Sequence, residues 1–179
     1  MKKKLKLVLP NKRYARSFAK GIKDARQEKA IRLPSPFRVE FKLFKNVKDF
    51  PAYLKNHAGE RKGRNLKKGY VPQTVYWAIN GNKFVGILKL RHYLNKNLRK
   101  MGGHIGYVVV PSERRKGYAK EMLRLGLLKA KKLSIRKALL TCDEDNIASR
   151  KVIKANGGIL QNKVKEDGIY KLRFWINNK

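Results

Sequence analysis

The stretch best equipped for chemistry lies past the middle of the chain. The apolar run His104-Ile-Gly-Tyr-Val108-Val109-Val110 ends at Pro111. It is followed by Ser-Glu-Arg114-Arg115-Lys116-Gly117-Tyr118-Ala119-Lys120 and then by a helical pattern. A glycine at the start of a helix lets an anion approach bare backbone. The first N–H groups there have no intrahelical partner, and the helix dipole adds attraction. Arg114, Arg115, Lys116 and Lys120 surround that point with positive charge, so the segment outlines a pyrophosphate cradle. It is not a P-loop, because no Gly-Lys-Ser/Thr follows at the required spacing, and it is not a dinucleotide-binding fingerprint. His104 is the second group of interest. With an ordinary pKa of about 6.5, an imidazole can act as a general base at neutral pH. It can equally be a strand-end histidine hydrogen-bonded for structure. A third feature is Asp143-Glu144-Asp145, the one acidic cluster of a basic chain. It either complements the positive N-terminus of the next helix or attracts a cationic amine.

The elements that must position these groups are legible from hydrophobic period. Leu5, Leu7 and Leu9 alternate with polar residues, as in a short strand. Tyr14, Phe18 and Ile22 recur every four residues and predict an amphipathic helix from Asn11 to about residue 29. Pro34 and Pro36 break the chain, Val39, Phe41 and Leu43 alternate as a strand would, and Val47, Phe50, Tyr53 and Leu54 suit one face of a short helix. Residues 57–73, basic and rich in glycine, read as a loop. Residues 75–79 and 84–90 predict strands around Asn80-Gly81-Asn82, a hairpin signal. His104 to Val110 is a strand. Residues 117–133 hold Met122, Leu123 and Leu127 at helical spacing, a core stripe. Ala138 to Cys142 is a buried strand, which makes Cys142 a core residue. Asn146 to Asn156 is a helix stopped by Gly157-Gly158. Residues 159–164 and 169–176 flank Glu166-Asp167-Gly168 as a final hairpin, and Trp77 and Trp175 read as sheet-packing residues. No internal repeat or linker divides the chain.

These segments resemble the GNAT N-acetyltransferase family. Arg114-x-x-Gly117-x-Ala119 after an apolar strand matches its (Gln/Arg)-x-x-Gly-x-(Gly/Ala) signature. Thr141-Cys-Asp-Glu-Asp-Asn146-Ile-Ala-Ser149, running on to Gly157-Gly158, is similar to the family's second signature segment. The order of strands agrees as well. The resemblance is strong over 104–160 and extends over 75–179. Gly102-Gly103-His104-Ile-Gly-Tyr107 and Asn156-Gly157-Gly158 are similar to segments of a bacterial subgroup of predicted acetyltransferases.

The resemblance implies an α/β (α+β) fold. Its central, mixed, mostly antiparallel sheet is splayed between strands four and five and flanked by helices. It implies one domain over 1–179, with 1–74 on the acceptor side and 75–179 as the acetyl-CoA-binding core. Acetyl-CoA would be co-substrate, with no metal. Backbone groups of Val108, Val109 and Val110 would pair with the pantetheine arm, and one strand N–H would polarise the thioester carbonyl. Amides from Arg115 through Lys116, Gly117, Tyr118 and Ala119 to Lys120 would hold the pyrophosphate beside Arg114. Asn146 and Ser149 would border the channel. His104 stands where many members carry a glutamate, which makes it the base expected to take the amine's proton. The family's usual tyrosine acid falls at Ile153 here. Tyr107, Tyr118 and Tyr170 are either substitutes or packing aromatics.

Composition bounds the partners. With 179 residues and 42% hydrophobic residues, the chain can build one packed core. No apolar run approaches the roughly 18 residues of a membrane span. The basic start has too short an apolar stretch for export, and a lone cysteine fits a reducing compartment, so a cytoplasmic protein is expected. Forty-six Lys and Arg against twelve Asp and Glu leave +34. Residues 1–90 carry 24 basic and 5 acidic, net +19, and residues 91–179 carry 22 and 7, net +15. The charge is therefore spread over the domain rather than held on an arm. Such a field attracts nucleic acid non-specifically and repels a free polyamine. A lysine-rich proteome or surface engineering would produce the same count. The acceptor is expected to be a small-molecule or protein amine, and a homodimer is left open. The competing reading is a GNAT-like RNA- or ribosome-associated binding protein with acetyl transfer secondary or lost.

Overall fold

The computed structural model describes residues 4–27, 40, 43, 44, 46–64, 66–166 and 168–178. Two antiparallel sheets carry the architecture. The first is ordered β1 (Leu5–Val8), β2 (Gln73–Asn80), β3 (Lys83–Arg91), β4 (Ile105–Val109). The second is ordered β5 (Lys137–Asp143), β7 (Ile169–Asn177), β6 (Ile159–Glu166). Around them lie α1 (Ala15–Gln27), α2 (Phe50–Arg61), α3 (Lys96–Met101), α4 (Tyr118–Lys131) and α5 (Ile147–Lys154).

Each face of the first sheet has its own core. On one side Phe18 of α1 stacks on Trp77 of β2 with centroids 4.2 Å apart, and Phe44, Phe50, Tyr53 and Phe84 crowd the pair. Phe18 and Trp77 are wholly buried. At about 1.5–3 kcal/mol per buried large side chain, this aromatic cluster holds α1 and α2 to the sheet. On the other side Met122, Leu123, Leu127 and Ala130 of α4 pack on Leu5, Leu7, Leu88 and Leu90, and on residues of β5 and β7. The two side-chain sets of β4 separate accordingly: Ile105 and Val109 join the α4 core, while Val108, with Val110 just past the strand, joins the aromatic one.

At the two described positions of the expected strand at 39–43 the backbone is not extended. Glu40 and Leu43 have helical backbone, and the Phe44 N–H donates to the Glu40 carbonyl at 2.8 Å. The alternation misled because it counted Glu40 as solvent-facing, whereas it is fully buried. Residues Val39 and Phe41 of that pattern, Pro34 and Pro36, the end of the first predicted helix at 28–29, and Asp167 lie outside the described residues. Residues 57–61, read as loop, continue α2, and α3 had no periodic signal over its six residues. Trp175 is only half-buried, its indole N–H donating to Gln161 at 2.7 Å.

Candidate active site

The two sheets meet at a seam between β4 and β5 that is closed at one end only. At the closed end Gly103 bridges to Leu140. The His104 N–H donates to the Leu139 carbonyl at 2.7 Å, and the Leu139 N–H donates back to His104 Nδ1 at 2.9 Å. The Arg91 guanidinium donates to the carbonyls of Gly102 (3.2 Å) and Gly103 (2.8 Å). Gly103 cannot be another residue here. Its φ is +67°, and a Cβ would lie 2.4 Å from the Leu139 carbonyl oxygen. Beyond this point the sheets share no ladder.

Strand parity decides which backbone groups face the opening. Arg91 N–H donates to the His104 carbonyl and Val110 N–H to the Val85 carbonyl. In an antiparallel ladder these pairs recur every second residue, so Gly106 and Val108 also bond to β3. The N–H and C=O of Ile105, Tyr107 and Val109 therefore turn towards the seam. Val108 and the Val110 N–H are instead turned to β3, and the Val110 carbonyl accepts from the Glu113 N–H at 2.9 Å. Of the three valines expected at the channel, Val109 has its backbone groups on the seam side, with Ile105 and Tyr107. The signal was available in the two-residue period but needed the β3 register to fix its phase.

The Tyr107 hydroxyl reaches across to α5 and donates to the Ser149 carbonyl at 3.5 Å, a long bond. Burial pushes this phenol above its ordinary range, so it stays protonated. Asn146 caps α5, its side-chain oxygen accepting from the Ser149 N–H at 3.0 Å. Ile153, where the family's tyrosine was expected, is 1% exposed in the core.

β4 leads through a short 3₁₀ turn, Pro111–Glu113, into the cradle. Gly117 is left-handed (φ 81°), as is Arg115 (φ 62°). No side chain caps α4, and its backbone ladder begins with the Glu121 N–H donating to the Gly117 carbonyl. The N–H groups of Tyr118, Ala119 and Lys120 thus lack intrahelical acceptors. A Cβ at Gly117 would meet nothing within 4 Å, so the backbone is open to an incoming group. Arg114, Arg115, Lys116 and Lys120 are exposed around it. Lys116 also braces the turn: together with Lys83 it pairs the buried Glu113 beneath it, at 3.2 Å from Lys116. The Tyr118 hydroxyl accepts from Asn80 at 2.7 Å and ties the helix start to the β2–β3 hairpin.

His104 is placed at the closed end and is 9% exposed. Burial, with Arg99 and Arg91 nearby, lowers its pKa to about 4. It is neutral at pH 7, but its Nδ1 lone pair accepts from Leu139 N–H, so the proton sits on Nε2. To take a further proton it would have to give up that bond.

A buried ionic group beneath the same sheet carried no motif in the sequence. Lys89 of β3, opposite Gly106 of β4, lies 3.0 Å from Glu40 Oε1, an ion pair without hydrogen-bond geometry. Glu40 Oε2 accepts from the Tyr53 hydroxyl and meets His57 Nε2 at 3.2 Å, while His57 Nδ1 meets Glu60 at 3.2 Å. Burial alone would raise the Glu40 carboxyl; Lys89, His57 and Tyr53 outweigh it and hold it at about 2. Burial likewise opposes a charged His57, but bonds to both carboxylates lift it to about 9. In its charged form both ring nitrogens donate, one to each carboxylate. The only sequence hints were one lysine in an apolar strand and the i, i+3 pair His57/Glu60.

Among the described residues no group of His, Cys, Asp and Glu could hold a metal ion, and no helix is long and apolar enough to cross a membrane. Cys142 is buried, and burial raises its thiol to about 11.

The family model for the acetyltransferase (GNAT) domain matches residues 27–159. The chain belongs to the GNAT acetyltransferase family. No curated protein matches it by sequence. Among solved structures it is similar to RimJ of Mycobacterium smegmatis in complex with CoA-disulfide. The two are 20% identical, with TM-score 0.70 and coverage of 97% of this chain and 81% of that one. It is also similar to a microcin C7 self-immunity acetyltransferase in complex with acetyl-CoA and AMP (13%, TM-score 0.69, 97% and 92%). A third is RimL, a ribosomal L7/L12 alpha-N-protein acetyltransferase, in complex with coenzyme A (17%, TM-score 0.66, 98% and 96%). At these identities the likeness concerns the fold, and the split antiparallel sheets flanked by helices are that GNAT fold.

Proposed function

We propose that the chain transfers the acetyl group of acetyl-CoA to an amine by direct attack while both are bound. The observation that carries this is continuity. The seam-facing backbone of Tyr107 and Val109 leads directly into the uncapped, cation-ringed start of α4. The extended strand would bind a pantetheine arm as a further strand, and the free amides of α4 would take the pyrophosphate. Bound acetyl-CoA supplies an acyl group already activated on a thiol. A seam-facing N–H, of Tyr107 or Val109, would polarise its carbonyl. The amine nitrogen bonds to the carbonyl carbon, the C–S bond breaks, and the sulfur leaves with the electron pair and is protonated. The amine's proton goes to water rather than to His104, whose lone pair is already engaged. Residues 1–74 would wall the acceptor side and 75–179 would form the cofactor core, the ionic group at Glu40, His57 and Lys89 fastening one to the other.

Thermal stabilisation by acetyl-CoA tests the site, measured at low and high salt with ATP and polyphosphate as controls. Selective stabilisation that persists in high salt is expected. Equal stabilisation by every polyanion, vanishing with salt, would mean that charge alone binds and would end this reading. A screen of neutral and anionic amines with the stabilised protein then identifies the acceptor.

A further inference from the structure

A cleft of about 980 Å³ lies outside the seam, along the outer face of α1, between that helix, the β2–β3 turn and the chain after β4. Residue spacing builds its helical wall. Arg16, Lys20, Lys23 and Gln27 follow at intervals of four, three and four and form one stripe, while Phe18, Ile22 and Ala25 point into the core. Arg16, Lys20 and Lys23 are exposed. At 1.5 Å rise per residue they fall within about 10 Å of helix. Lys83, Asn80 and Asn82 face them from the hairpin.

Two acids lie nearby: Asp24 lines the cleft and keeps its charge but is turned to Ser112, and Glu113 is paired beneath it. Asp24 accepts from the Ser112 N–H (3.1 Å) and hydroxyl (2.7 Å), and the buried Glu113 pairs Lys83 and Lys116. Among the described residues no carboxylate pairs with Arg16, Lys20 or Lys23. Among the described residues, three cations without a carboxylate partner thus line a concave surface beside a single carboxylate, Asp24, in a chain that carries +34.

We propose that this cleft docks the phosphodiester backbone of nucleic acid, as a binding function separate from acetyl transfer. Its two apolar lining side chains, Phe84 and Val110, are 1% and 2% exposed. The cleft thus offers no open aromatic face on which a base could stack. What remains is a row of cations matched to a regular polyanion, so binding is independent of base sequence and driven by counterion release. The whole-chain charge steers the encounter, and the α1 stripe makes the contact.

The test is fluorescence anisotropy of a labelled, mixed-sequence RNA of about 20 nucleotides, titrated with the full chain across a salt series. The groove variant is Lys20→Glu/Lys23→Glu. The charge-matched control is Lys62→Glu/Lys68→Glu, two exposed residues of the loop before β2, at the opposite end of that strand from the cleft. The groove variant is expected to bind at least about tenfold more weakly, and the slope of log affinity against log salt should flatten by about 1.4, two phosphate contacts at about 0.7 each. The control should change by less than about threefold, and Lys20→Gln/Lys23→Gln should fall between. Equal weakening by groove and control variants would overturn the proposal in favour of a diffuse charge effect. So would competition by polyglutamate as effective as that by unlabelled RNA. Stabilisation by acetyl-CoA should be unchanged in the groove variants, so this proposal and the acetyltransferase reading can fail separately.

Discussion

The two ends of the β4–β5 seam use the same backbone in opposite ways. At the closed end, Gly103, His104, Leu139 and Arg91 bond their polar groups to other parts of the chain. At the open end, Tyr107, Val109 and the first amides of α4 keep their hydrogen-bonding capacity. A buried polar group left unpaired costs about 1–3 kcal/mol, so the protein can leave such groups unmet only where solvent or a ligand reaches them. The closed end pins the split, and the open end is where the proposed acetyl-CoA site lies. Both ends carry a left-handed glycine, but backbone is pressed against Gly103 whereas the space beside Gly117 is open.

That contrast can be broken most sharply at the glycines. Gly103→Ala combines left-handed strain with a clash into the Leu139 carbonyl and should cost about 3–5 kcal/mol. The melting temperature of the free protein should fall by about 10 °C. Gly117→Ala should cost only about 1 kcal/mol of strain yet abolish most of the stabilisation by acetyl-CoA, since its methyl stands where backbone must meet phosphate. Melting curves with and without acetyl-CoA check both. Were the two variants to lose stability and ligand response in the same proportion, the division between the ends would be wrong.

Next in size is the pH response. His104 has a folded pKa of about 4 against about 6.5 unfolded, so the unfolded chain takes the proton first. Its contribution is present above about pH 6.5 and is lost as pH falls towards 4. His57 is raised to about 9, so its contribution is present below about pH 6.5 and is lost as pH rises through 9. The melting temperature should therefore pass through a maximum near about pH 6.5. His104→Asn should flatten the acid limb and His57→Gln the alkaline limb. His104→Asn should also keep kcat within about threefold, whereas loss of a general base would cost about 10²–10⁴-fold.

The smallest effect is expected across the open end. Tyr107→Phe removes one 3.5 Å hydrogen bond to Ser149, worth less than about 0.5 kcal/mol. Stability by chemical denaturation should be nearly unchanged. A loss of about 2 kcal/mol would show that the hydroxyl, not the core packing of the ring, holds α5 to β4.

Much of this was written locally. The strand ending at Pro111, the Arg-x-x-Gly-x-Ala turn, the helix after it and the hairpins at 75–90 and 159–176 follow from period, caps and turn residues within a few positions of one another. The cradle and the helices around it were therefore determined by the sequence itself. What the tertiary structure alone decided is where groups distant in the chain spend their hydrogen bonds. The β3 register chose Tyr107 and Val109 over Val108 and Val110. Leu139, 35 residues away, engages the His104 Nδ1 lone pair. Lys89 and His57 hold in the interior a carboxylate, Glu40, that the local pattern had marked as a surface residue. Local pattern reports which side chains avoid water. It does not report which donor meets which acceptor, because that pairing is a property of long-range contacts.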